Sequence, residues 1–171
     1  MNDRVTNIIV AGLGGQGVIT ASDLIADAAF RAGFDVKKSE IHGMSQRGGS
    51  VSSDVRFGKR VLSPMVPDQD ADFLVVVDAT QIENNRHTLK HGGVLIAPDL
   101  IEVSQLASPR SINVALVGVL SALLSIPESI WIDALKARLS AKLLATNLAA
   151  FSLGRAAASK LSSNGQAVVQ S

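Results

Sequence analysis

The chain has 171 residues, of which 47% are hydrophobic and only 4% aromatic, and its formal net charge is +1. That length fits one domain whose core is built mainly from Ala, Val, Leu and Ile, and the near-neutral balance offers no general attraction to nucleic acid or to a membrane surface. The lack of cysteine excludes disulfides, thiolate-held zinc, iron–sulfur clusters ligated by this chain and a cysteine nucleophile.

The opening MNDRVTNIIVAGLGG has neither the basic start nor the apolar length of a signal peptide, so a cytoplasmic location is expected. Residues 5–11, VTNIIVA, are β-branched and apolar and predict a buried strand. After GLGGQG comes VITASDLIADAAFRAG, in which Val18, Ala21, Leu24, Ile25, Ala28 and Ala32 share a helical face. Asp27 and Arg31 are spaced to pair, and Gly33 is placed to end the helix. FDVKKSEI predicts a second strand. SVSSDVRF and RVLSPMV read as two short extended runs joined by Gly58-Lys59, a hairpin signal.

DFLVVVDA (72–79) predicts a strong buried strand, TQIENNRHTLKHGG a short helix ending at Gly92 and Gly93, and VLIAP a further strand. The rest is helical by pattern, over about 112–126, 128–141 and 144–160. The first of these is the longest apolar run, but it is too short for a membrane span and contains Asn113, Ser121 and Ser125. The expected fold is a three-layer α/β/α arrangement with a mixed, mostly parallel sheet, Rossmann-like at its N-terminus and helical in its C-terminal third. One domain covers 1–161, and 162–171 reads as a frayed tail.

Gly12, Gly14 and Gly17 satisfy GxGxxG between a strand and a helix. Glycines there let the backbone turn tightly and approach a ligand, and the helix start offers free N–H groups to an anion. A dinucleotide site also wants an acidic residue about 20 positions on. Glu40 is near that place, but no helix follows its strand. Three readings stay open: tight helix–sheet packing, a dinucleotide, or another anion or partner contact.

Between 37 and 60, Lys37, Lys38, Arg47, Arg56, Lys59 and Arg60 face only Glu40 and Asp54 in charge. If they converge they attract a phosphate-bearing ligand or an acidic partner; otherwise they are a solvated strand edge. Arg47 lies between Gln46 and the glycines Gly48 and Gly49, which leaves its fork of donors free to be placed. With only three histidines in the chain, a multi-histidine metal site is not expected, and His42 has no nucleophile in a recognisable motif.

GLGGQGV, KKSEIHGMSQRGGSVSSDVRFG and NLAAFSLGRAA together resemble the gamma-type subunit or domain of 2-oxoacid:ferredoxin oxidoreductases, most nearly the indolepyruvate type. The resemblance runs from about residue 6 to about 157. It implies an accessory subunit, inactive alone, of an enzyme that oxidatively decarboxylates a 2-oxoacid to an acyl-CoA and passes electrons to ferredoxin. Thiamine diphosphate and iron–sulfur clusters are then expected on a large alpha subunit, with coenzyme A possible at the interface and self-association possible for the isolated chain. Carried onto this sequence, the motif positions are Gly12, Gly14, Gly15, Gln16 and Gly17, then Lys38, Glu40, His42, Gly43, Gln46, Arg47, Gly48, Gly49 and Arg56. The two blocks are expected to meet at the carboxyl ends of the strands, with Arg47 and Lys38 as the anion contacts. The other reading is a free-standing nucleotide- or phosphate-binding module.

Overall fold

The structure is a computed structural model and describes residues 3–43 and 48–163. Its five strands are β1 (Thr6–Leu13), β2 (Asp35–His42), β3 (Ser50–Gly58), β4 (Ala71–Val76) and β5 (Leu89–Ile96), in the sheet order β2-β3-β1-β4-β5. The sheet is mixed, as the sequence predicts, but not mostly parallel. β1–β4 and β4–β5 are parallel, while β1–β3 and β2–β3 are antiparallel.

Strand alternation sorts the residues onto two faces. Ile8 and Val10 of β1, Val55 and Phe57 of β3, Phe73 and Val75 of β4 and Val94 and Ile96 of β5 enter the main core. That face is covered by α1 (Val18–Arg31), α3 (Ile112–Leu123), α4 (Glu128–Arg138) and α5 (Ala141–Ala157). The opposite face carries a smaller cluster of Ile9, Ala11, Ala71, Leu74 and Val76. Its covering layer is thin: the one-turn α2 (Ile82–Asn85), flanked by 3-10 turns, and a crossing segment anchored through Val66.

α1 follows its pattern closely. Val18, Ala21, Leu24, Ile25 and Ala28 are buried, and Arg31 pairs with Asp27 at 3.1 Å. It ends in a Schellman turn: Gly33, at φ 91°, donates to the Phe30 carbonyl and Phe34 to the Ala29 carbonyl.

Four expectations fail locally. The hairpin falls at residues 43–49 between β2 and β3, not at 58–59. Residues 60–66 form no strand; Pro64 interrupts a run that would otherwise alternate. The segment instead crosses the thin face, its Ser63 and Met65 carbonyls accepting from Arg56 and its Val66 N–H donating to Asp54.

The helix expected before Gly92 is only one turn long, because Asn85 and Thr88 bond back to the Gln81 and Asn85 carbonyls. β5 begins at Leu89, and Gly92 (φ 77°) with Gly93 sits beside a register shift against β4, so these glycines form a bulge. Finally, α3 ends at Leu123, with Leu124 already extended and Pro127 heading α4.

At the C-terminus, α6 (Ser159–Ser163) carries regular structure past the expected domain end at 161. The rest of the expected tail, 164–171, lies outside the described residues.

Candidate functional site

The carboxyl end of β1 is where the glycines act. A Cβ on Gly12 would fall 2.8 Å from Val18 Cγ2, so glycine lets α1 press on the sheet. Gly14 donates to the Gly49 carbonyl at 2.8 Å, joining the glycine loop to the β2–β3 connection. Gly43 donates to the Ser50 carbonyl at 2.7 Å and closes that connection from below. Gly15 and Gly17 adopt φ 85° and 79°, which strongly favours glycine. Gly17 heads α1, and its carbonyl accepts from Asn113 Nδ2 at 3.1 Å.

Gln16 ties the loop to the neighbouring strand. Its Oε1 accepts from the Leu13 N–H at 2.8 Å, and its Nε2 donates to Asp78 Oδ2 at 2.6 Å. Asp78, just past β4, also accepts from the Thr80 N–H and hydroxyl. These bonds, from Thr80 first and then Gln16, hold its carboxyl below the ordinary value of 3.8. A depressed pKa means that this group stabilises the fold fully above 3.8 and loses that contribution as pH falls through its folded value. We expect Asp78→Asn to reduce the loss of stability of the wild type below pH 4, which urea melts between pH 2.5 and 7 would read. An unchanged acid limb would show that these bonds carry no folding linkage.

Of the positions singled out in the sequence, Gly12, Gly14, Gly15, Gln16, Gly17, Gly43, Gly48 and Gly49 come together here. Lys38 and Glu40 lie further down β2, and His42, in register with Val51 opposite Gly12, is kept from the glycine loop by the width of β3. Lys38 was expected to contact an anion, but its ammonium is already held by Asp23 at 2.7 Å and Glu40 at 2.5 Å. The same bond to Lys38 is the chief reason the Glu40 carboxyl lies below its usual value. His42 Nε2 is 3.7 Å from Glu40.

Arg56 pairs in register with Asn7, towards the far end of β1 from the loop, and bonds Asn7 Oδ1 at 2.8 Å. It fastens the crossing segment and contacts nothing at the glycine loop. Gln46 and Arg47 lie outside the described residues.

Sequence reading missed Asn113, Asp78, Gln81 and Ser50. Asn113 is the one polar residue in the first turn of an apolar helix, and Asp78 ends a strand beside β1; both were available as signals. Buried Gln81 accepts from the Ser50 hydroxyl at 3.0 Å. The pair lines an open cavity of about 220 Å³ with Ile41, Gly43 and Asn85.

The site thus offers backbone N–H groups at a helix start, glycines at positive φ and neutral amides and hydroxyls. That is a surface for binding and shaping, with no nucleophile–base pair among the described residues. Among the described residues no group of three or more His, Asp or Glu side chains could hold a metal ion. A dinucleotide arrangement is also not reproduced. The strand after α1 is the sheet edge, antiparallel to its neighbour, so Glu40 cannot approach the loop as a ribose-binding acid does.

Such an arrangement defines an α/β module with a glycine-lined surface at the carboxyl end of β1. The chain belongs to the pyruvate ferredoxin/flavodoxin oxidoreductase family, which it matches over residues 7–157. Among curated proteins it is 45% identical to the indolepyruvate oxidoreductase subunit IorB of Thermococcus kodakarensis over 89 residues, 52% of this chain and 44% of that protein. It is 32% identical to the common gamma subunit of the pyruvate/ketoisovalerate oxidoreductases of the same organism, over 50% of this chain and 47% of that one. The chain thus spans under half the length of these relatives.

Among solved structures, the 2-oxoglutarate:ferredoxin oxidoreductase from Magnetococcus marinus, with 2-oxoglutarate, coenzyme A and succinyl-CoA bound, superposes at TM-score 0.82 and 25% identity. That match covers 98% of this chain and 33% of that one. The keto/oxoacid ferredoxin oxidoreductase gamma subunit from Geobacter sulfurreducens shares the fold at TM-score 0.77 and 23% identity, covering 91% and 99%.

Proposed function

We propose that this chain is the accessory, gamma-type subunit of a thiamine-dependent 2-oxoacid:ferredoxin oxidoreductase of the arylpyruvate (indolepyruvate) kind. The observation that carries this reading is the 45% identity to an indolepyruvate oxidoreductase subunit, supported by the family match across most of the chain. The chain has no cysteine and cannot ligate an iron–sulfur cluster through thiolates. In this reading thiamine diphosphate and the clusters belong to a large alpha subunit, which passes electrons to ferredoxin, and no redox step is assigned to the residues described above. A cytoplasmic location goes with this role. No helix among the described residues is long and apolar enough to cross a membrane.

In this reading the glycine loop and the β2–β3 connection form one wall against the alpha subunit. Gly14 and Gly49 lock the two together, Gly15 leaves room for close approach, and α1 presents its free N–H groups. Gln46 and Arg47 belong to the same connection, and Arg47 supplies the charged contact, to a phosphate of coenzyme A or to an acidic group of the partner. Lys38 and Glu40 instead set β2 against α1, and Arg56 holds the crossing segment.

Co-expression with a large thiamine- and ferredoxin-type subunit should give a stable complex active on aryl pyruvates. In that complex Arg47→Ala should raise KM for coenzyme A about ten- to a hundredfold, as loss of one charge-assisted contact of about 1.5–3 kcal/mol would, or weaken assembly equally. Wild-type values for both would remove Arg47 from the role. Tight nucleotide binding by the isolated chain in calorimetry, without uptake of a large subunit, would replace the whole reading by a free-standing nucleotide module.

A further inference from the structure

β2 is an edge strand of eight residues, and among the described residues nothing pairs with its outer side. Such edges invite another strand unless something blocks them. Here we propose that β2 pairs with β2 of a second copy of this chain, in one antiparallel register centred on Ser39. The inference does not rest on the accessory-subunit reading.

The backbone sets which groups are available. Gly43 donates to the Ser50 carbonyl, so Gly43 and Ser50 form a hydrogen-bonded pair. Pairs alternate along an antiparallel ladder. Ile41, Ser39 and Lys37 therefore bond β3, in register with Ser52, Asp54 and Arg56. The N–H and C=O groups of Val36, Lys38, Glu40 and His42 point outward.

A two-fold axis joining two such edges stands perpendicular to the sheet and keeps each face on its own side. Opposed residues must then have the same parity, which leaves few registers. Centring on Lys38 or Lys37 sets lysine against lysine. Centring on Glu40 sets glutamate against glutamate and Lys38 against His42. Centring on Ser39 sets Lys38 opposite Glu40 twice, Lys37 opposite Ile41 and Val36 opposite His42. No like charges meet, and each outward backbone group from Val36 to His42 finds a partner, whereas centring on Val36 or Ile41 also avoids like charges but lets only the ends of the two strands overlap. Lysines that would otherwise protect the edge become the device that selects a single register.

A second observation lies on the same side. Asp23 of α1 is held by Lys38 of β2, so the helix stripe containing Asp23 overhangs the edge. Phe30, seven residues on, shares that stripe and is 70% exposed. A second copy across the two-fold axis brings its own α1 to that aromatic ring. Isologous pairing requires this kind of self-complementary surface, and a self-complementary strand favours a second copy over an unrelated partner.

Sedimentation equilibrium on the full chain should show a concentration-dependent species of twice 17.8 kDa. Glu40→Lys places lysine against lysine at both symmetric positions and should weaken the dimer by about tenfold or more. Glu40→Pro removes an outward N–H without touching the β2–β3 ladder, a position where proline is tolerated, and should leave a folded monomer by circular dichroism. Hydrogen exchange at Val36, Lys38, Glu40 and His42 should slow as wild-type concentration rises. A wild type that stays monomeric at hundreds of micromolar overturns the proposal. So does a dimer that both variants leave intact, which would place the contact on another face such as the helical third.

Discussion

Gly154→Ala is expected to cost about 3 kcal/mol or more of stability, at or above the usual range for overpacking. Helix propensity alone points the other way, because alanine in a helix interior is favoured over glycine by about 1 kcal/mol. The contact decides the sign. α3 and α5 cross with their backbones touching: a Cβ on Gly154 would overlap the Ala115 carbonyl oxygen, and one on Gly118 the Phe151 carbonyl oxygen. Neither obstacle is the flexible end of a side chain, so the helices must separate. Separation would pull Phe151 from beside Trp131, whose rings lie 6.2 Å apart in the core, and would strain the bond from Arg155 to Ser121. For a chain of this size the loss should lower Tm by about 6–12 °C, at roughly 2–4 °C per kcal/mol. Ser152→Ala, on the exposed side of the same helix, should be neutral or slightly stabilising. If calorimetry shows Gly154→Ala melting with Ser152→Ala at or above the wild type, the close crossing is wrong.

That glycine also shows which parts of the fold could be read in the sequence. NLAAFSLGRAA carried family resemblance, yet nothing in its periodicity says that Gly154 meets the carbonyl of Ala115, in the helix α3 well before it in the chain. The strands β1 and β4 and helix α1 were legible because each buries a local pattern: alternation, an apolar run, a stripe. The β2–β3 pairing was not. Pro64 spoke against a strand in 60–66, but only the sheet order shows that β3 reaches across to β1.

The candidate site divides the same way. The glycines of both blocks were visible by composition, since positive φ and close approach leave little choice of residue. Lys38 and Arg56 were visible only as charges. Their partners, Asp23 and Asn7, are 15 and 49 positions away, and those partners turn supposed ligand contacts into internal fasteners. Asn113 and Asp78 reach the loop from 96 and 62 positions away; no local window contains either contact.

Gly17→Ala should damage both stability and function, and comparison with Gly15→Ala separates the causes. Both positions require φ near 80°, which costs a non-glycine residue about 1–2 kcal/mol. At Gly15 a Cβ meets nothing within 4 Å among the described residues, whereas at Gly17 it would overlap the Asn113 amide. Gly15→Ala should therefore cost about 1–2 kcal/mol, and Gly17→Ala about 3–4 kcal/mol once displacement of a buried, hydrogen-bonded amide is added. Asn113→Ala in the Gly17→Ala background relieves the overlap but not the backbone strain, so a double-mutant cycle should show coupling of about 1 kcal/mol or more. Function should split differently. Displacing Asn113 shifts the start of α1, and with it the loop that Gly14 fastens to Gly49, so Gly17→Ala should lower the activity of the reconstituted complex at least tenfold. At Gly15 the space is open among the described residues. A loss of coenzyme A affinity or of assembly in Gly15→Ala, larger than its small stability cost explains, would mean that a ligand or partner fills that space. Full activity in Gly15→Ala would move the contact surface away from the loop tip, towards the connection that carries Arg47.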